Sequence, residues 1–175
     1  MFEILEINGK QYGAMEEISL LDTFLSEQLM KAPDSFYKFY SSSNGWKLAD
    51  GDLQLTFRLK KNFGTRDSLS FDLLYSLEDI FLDYSSREGV SFPEGTIPFI
   101  DAQEGEIVIS FRSDSFGKIY FCESNPTDEQ MPENSFENAM RKFAPSRKQL
   151  PGIVVELADS FETFIGSLIL EEWDQ

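Results

Sequence analysis

The stretch IPFIDAQEGEIVISFR, residues 97–112, sets two apolar runs on either side of a turn that carries Asp101, Glu104, Gly105 and Glu106. Ile107, Ile109 and Phe111 recur at every second position, the period of a strand with one face in a core. GKIYFCE, residues 117–123, begins five residues later and continues the pattern. The reading is a meander with strands at about 97–100, 106–112 and 117–123, joined by short polar turns. Phe99, Ile107, Ile109 and Phe111 are assigned to the core. The turn acids have two readings, a solvated tip or one edge of a surface that meets a partner, because turns favour polar residues whatever their function.

Upstream of the meander, Asn8-Gly9 is a candidate hairpin turn between short β-prone runs. Ile18, Leu21, Phe24, Leu25 and Leu29 fall at helical spacing, and Pro33 opens a second helix with Phe36, Phe39 and Tyr40 on its buried side. Asn44-Gly45 supplies residues able to end that helix in the left-handed region. LQLTFRL, residues 53–59, alternates as a strand, Lys60 to Gly64 fit a turn, and a second strand is expected at 69–75. Ser76 and Asp79 have the spacing of a helix cap for LEDIFLDYSSRE.

Downstream, residues 124–150 hold Pro126, Pro132 and Pro145, acids at Asp128, Glu129 and Glu133, and bases at Arg141, Lys142, Arg147 and Lys148. This composition reads as an insertion with a short helix near 134–143. GIVVEL is strand-like. In ADSFETFIGSLILEEW, Asp159 is the expected N-cap, with Phe161, Phe164, Ile165, Leu168 and Ile169 along one side of a helix.

The chain has 175 residues, 41% of them apolar and 17 of them phenylalanine, enough for one core without staples. The expectation is one domain over 1–175 that includes the insertion. No apolar run approaches the roughly 18 residues of a membrane span, and MFEILEINGK lacks the basic start and apolar core of a secretory signal. A cytoplasmic location is expected, and the lone Cys122 agrees with a reducing compartment.

A formal charge of −16 repels phosphate backbones and anionic headgroups, so neither nucleic acid nor membrane is an expected partner. With no histidine in the chain, Ser-His-Asp and Cys-His nucleophiles and histidine metal sites are excluded. No phosphate-binding glycine loop or calcium-loop spacing occurs either. Paired carboxylates stay open by residue type alone, since 31 acids make accidental pairs certain. The expectation is a protein that is not an enzyme, with no catalytic residue, metal or cofactor.

Four stretches carry a resemblance. KAPDSFYKFYSSSNGW (31–46) is similar to a "leucine-proline, aromatic-rich helix, Asn-Gly-Gly" signature, and GTIPFIDAQEGEIVI (95–109) to an "IPFG, acidic/glycine turn, strand" segment. GKIYFCESN resembles the strand that follows it, and VELADSFETFIGSL resembles an "A-D-S-F-x-x-F-L" helix. Taken in order, these resemble the SUKH superfamily, which groups bacterial toxin-immunity proteins with fungal cell-wall synthesis regulators. Ala-Pro stands here where Leu-Pro is usual, Trp46 replaces a glycine, Ile100 replaces the glycine after Pro-Phe, and Cys122 takes an aromatic position.

The resemblance implies an α+β fold, a mostly antiparallel curved sheet of about six strands packed against N-terminal, middle and C-terminal helices, and no shared catalytic residues. It further implies an immunity protein, monomeric or weakly dimeric, that neutralises a cognate secreted toxin. Such a toxin is often a basic nuclease, and the charge suits that partner. The alternative is a non-catalytic regulatory or scaffold module of the same fold. The residues nominated for partner contact are Trp46, Asp101, Glu104, Glu106, Asp114, Glu123, Asp128, Glu129 and Glu133. Trp46 also has a structural reading, packed against the sheet behind the helix-ending glycine.

Overall fold

The computed structural model describes Leu5, residues 9–11, Thr23 and residues 31–63, 66–80, 95–102, 105–123 and 154–172. In chain order its elements are β1 (Gly9–Gln11), α1 (Asp34–Ser42), β2 (Trp46–Leu48), β3 (Leu53–Phe63), β4 (Arg66–Phe71) and β5 (Leu73–Leu74). They continue with β6 (Thr96–Ala102), β7 (Gly105–Ser110), β8 (Ile119–Glu123), β9 (Val154–Ala158), α2 (Phe161–Gly166) and β10 (Leu168–Glu172). Residues 77–80 begin a further helix. The architecture is α+β, with antiparallel sheets packed against helices as expected and ten strands among the described residues where about six were expected.

The 97–112 stretch forms the meander that its alternation predicts. β6, β7, β8 and β9 hydrogen-bond in that order, all antiparallel, with Ile109 opposite both Ile97 and Ile119. Ile107 and Ile109 face the main core, together with Phe121 of β8. Val108, Tyr120 and Cys122 form a second buried cluster on the opposite face. The two smaller sheets run β1-β2-β5 and β10-β3-β4. The Tyr75 amide donates to the Phe99 carbonyl at 2.9 Å and ties the first of them to β6.

An aromatic cluster joins these layers. Phe36 of α1 meets Phe161 of α2 edge-on at 5.3 Å between centroids, and Phe99 of β6 at 6.2 Å. Phe161 also lies 5.5 Å from Phe99, and Phe164 stacks on Phe57 of β3 at 5.0 Å. Rings at these separations gain edge-to-face and offset attraction beyond their burial. Phe161 and Phe164 are both fully buried.

Several local expectations need revision. Asn8 lies outside the described residues, but Gly9, expected in a hairpin turn, stands in β1 and pairs with Leu48 of β2. A side chain at Gly9 would collide with the Trp46 indole, so only glycine permits that approach. β3 runs on through Lys60 to Phe63 instead of turning at Lys60, with a register irregularity between Arg58 and Phe63 absorbing the extra length. The single strand expected at 69–75 is split into β4 and β5.

The C-terminal helix is also shorter than its spacing suggests. Ser160, not Asp159, is its cap, accepting from the Thr163 amide at 3.1 Å. α2 stops at Gly166, and Leu168 and Ile169 belong to β10, paired with Phe57 and Thr56. Phe161, Phe164, Ile165 and Leu168 satisfy a helical period, while LILEE satisfies a period of two equally well, and pairing with β3 decides between them.

Other expectations hold. α1 buries Phe36, Phe39 and Tyr40 and ends at Ser42 with an extended Ser43 as its cap, while Gly45, expected to end the helix, takes its left-handed φ of 72 in the turn that leads into β2. Ser76 and Asp79 form the reciprocal cap: the Ser76 hydroxyl accepts the Asp79 amide at 3.1 Å and Asp79 Oδ2 accepts the Ser76 amide at 3.3 Å. The helix expected around Ile18 to Leu29 lies outside the described residues except for Thr23, as do residues 124–150, where an insertion with a short helix was expected.

Phe161→Ala is expected to lower the unfolding free energy by about 3–5 kcal/mol, against less than about 1 kcal/mol for Ile169→Ala on the exposed side of β10. Urea titrations giving the two variants the same loss would remove the aromatic cluster from the centre of the fold.

Candidate interaction surface

The acids of the opening stretch divide between two environments. Asp101 of β6 and Glu106 of β7 stand directly opposite each other in the ladder, but Asp101 is exposed whereas Glu106 is buried. The strand period does not separate them, since directly opposed residues point to the same face of the sheet; the difference is cover, every residue of the inner strand β7 being buried. Glu106 adjoins Cys122, whose thiol is pushed well up by burial and then by the Glu106 charge. That thiol stays protonated and inert.

Trp46 is buried at 3% exposure, and its Nε1 donates to the Leu5 carbonyl at 2.7 Å. Its indole therefore locks the N-terminal segment to β2. Asp114 is exposed in the turn between β7 and β8, where its two oxygens accept Nε and Nη2 of Arg112 at 3.0 and 3.1 Å. Glu104, Asp128, Glu129 and Glu133 lie outside the described residues.

Glu123, at the end of β8, is 1% exposed and lies 3.4 Å from Nη2 of Arg66 on β4. The Arg66 guanidinium also sits 6.0 Å from the Phe121 ring centroid. This ion pair bridges the β3-β4 hairpin and the four-stranded sheet. Burial holds the Glu123 carboxyl above the ordinary glutamate range, and Arg66 pulls it partly back. Of the nominated residues, then, the structure leaves Asp101 and Asp114 open to solvent and encloses Trp46, Glu106 and Glu123.

Two exposed aromatics were not singled out from the sequence, Tyr37 on α1 and Phe116 in the turn between β7 and β8. A phenylalanine inside the polar turn RSDSFGK was the available signal, because turn composition gives no reason for it. Among the described residues no group of three histidine, cysteine or carboxylate ligands converges on one point. No described helix is long and apolar enough to cross a membrane. What the described surface offers is contact: exposed carboxylates at Asp50, Asp52, Asp67, Asp72 and Asp101, and the two rings.

The sign of the Glu123 effect follows from linkage. A carboxyl raised in the folded state binds its proton more readily there than in the unfolded chain. Its stabilising contribution is therefore full below the unfolded glutamate range and is lost as pH rises through the folded value. Glu123→Gln keeps the shape and removes the charge. Its stability relative to wild type is expected to improve between about pH 4 and pH 7. A wild-type-to-variant difference that stays constant in urea titrations over that range, or that moves the other way, contradicts the assignment.

Comparison with known families gives one match. Residues 20–167 match the model of the SMI1 / KNR4 family (SUKH-1), a span that includes every described element from α1 to α2. No curated protein and no solved structure matches the chain. The aromatic helix α1, the IPF strand β6 and the capped ADSF helix α2 all fall within the matched span and are formed in the structure. The chain belongs to the SMI1 / KNR4 (SUKH-1) family.

Proposed function

We propose that the protein is an immunity protein that binds a cognate secreted toxin stoichiometrically and blocks its action in competition between bacterial cells. Family membership carries the reading, since SUKH proteins act as toxin-immunity and regulatory binding proteins. The charge selects the kind of toxin. At −16 the chain is complementary to a basic protein, and a nuclease is basic because its own substrate is a polyanion.

Neutralisation is by occupation, with no bond made or broken by this chain. The carboxylates on the surface steer the encounter and the complex excludes substrate from the toxin. The protein works in the cytoplasm of the producing cell, where the toxin would otherwise act.

The test is co-expression with the product of the gene immediately upstream. Cells that make both proteins are expected to grow where cells making the toxin alone do not, and the pair is expected to elute together on gel filtration. Loss of both protection and complex would leave a regulatory interaction module as the better reading.

A further inference from the structure

Three large apolar side chains are exposed among the described residues: Phe116 at 45%, Ile169 at 39% and Tyr37 at 37%. Two of them come from segments that touch. The turn between β7 and β8 lies against the start of α1, because a Cβ placed on Gly117 would sit 3.6 Å from Cβ and Cγ of Pro33. Phe116 immediately precedes Gly117. Tyr37 stands one helical turn beyond Pro33, its amide donating to the Pro33 carbonyl at 3.0 Å. Ile169 is on a different sheet, in β10.

The turn that presents Phe116 is tightly bonded. The Gly117 amide donates to the Ser110 carbonyl at 2.8 Å, the Ser110 amide to the Lys118 carbonyl at 2.9 Å, and the Lys118 amide to the Ser115 carbonyl at 3.1 Å. Beneath it the buried Ser110 and Ser115 hydroxyls are 2.8 Å apart, and Arg112 is forked onto Asp114. A turn with this much internal bonding fixes the backbone that carries Phe116, whose ring is exposed. Interfaces favour that arrangement, because a pre-ordered aromatic anchor loses little entropy on docking.

Charge selects the occupant. At −16 the chain repels a polyanion, an acidic membrane and a second copy of itself, and attracts a cationic protein. On the elements flanking the two rings the charges nearly cancel. Asp34, Asp114, Glu156, Asp159 and Glu162 stand against Lys31, Lys38, Arg112 and Lys118. Arg112 is spent on Asp114, and Lys118 on Glu156 at 2.9 Å. A near-neutral rim around apolar rings suits close contact, while the surplus of carboxylates over the whole chain draws the partner in.

We propose that Phe116 and Tyr37 form the aromatic anchor on which a cationic protein partner docks. This rests on the immunity reading, whose toxin is that partner. The test is calorimetric titration of the purified upstream gene product into wild type, a Phe116→Ala/Tyr37→Ala variant and Ile169→Ala, with urea midpoints measured alongside.

The expected result is at least about a tenfold weaker complex for the double variant and less than about a twofold change for Ile169→Ala, with the folds intact. Should the double variant lose its fold, Phe116→Ala alone carries the comparison, because that side chain is outside the core. If wild type binds and the aromatic variants bind equally well, the anchor lies elsewhere and the proposal is overturned while the immunity reading stands. If wild type does not bind, the immunity reading fails and takes the anchor with it.

Discussion

Packing of Phe161 against Phe36 and Phe99 is the contact on which the rest of the structure depends. It brings α1, α2 and β6 to one point, and Phe164, one turn further on, extends the cluster to Phe57 of β3 and Phe71 of β4. None of these elements could bury its apolar face alone. Short helices such as α2 are marginal in isolation and take their stability from tertiary packing. Phe111 meets Phe36 edge-on at 5.9 Å, so the same cluster also fixes the strand end from which the Phe116 turn departs.

This dependence explains which features were legible in the sequence. The meander was readable because alternation over Ile107, Ile109 and Phe111 is a local signal and its turns are short. α1 and the Ser76 cap were readable because proline, an Asn-Gly pair and a serine-to-aspartate spacing of three each act within a few residues. β10 was not readable. Its residues satisfy a helical and a strand period at once, and the deciding factor is the edge of β3, more than a hundred residues away in sequence. Gly9 was misread for a related reason: Asn-Gly is a strong turn signal, and here the glycine serves a close approach to Trp46.

The surface was less legible than the core. Residue type nominated acids, but burial depends on which strand face a residue occupies and on what packs over it. Glu123 was therefore nominated as a contact and is enclosed with Arg66, while Trp46, read either as a contact or as packed against the sheet, is buried and held by Leu5. The exposed rings went unmarked because seventeen phenylalanines make any one of them read as core. Phe116 is set apart by its place in the polar turn RSDSFGK, where turn composition gives no reason for an apolar ring. Electrostatics is the one surface property that composition states without a structure, and it is the ground on which a cationic partner is proposed.

Steering by net charge is therefore the most exposed part of the account. The direct measurement is the association rate of the upstream gene product with this protein, followed by stopped flow from low to high ionic strength. Steering requires a rate that falls steeply as salt rises, with a much weaker effect on dissociation. A rate independent of salt would mean that the acids only keep the protein soluble, and would contradict recognition of a basic toxin.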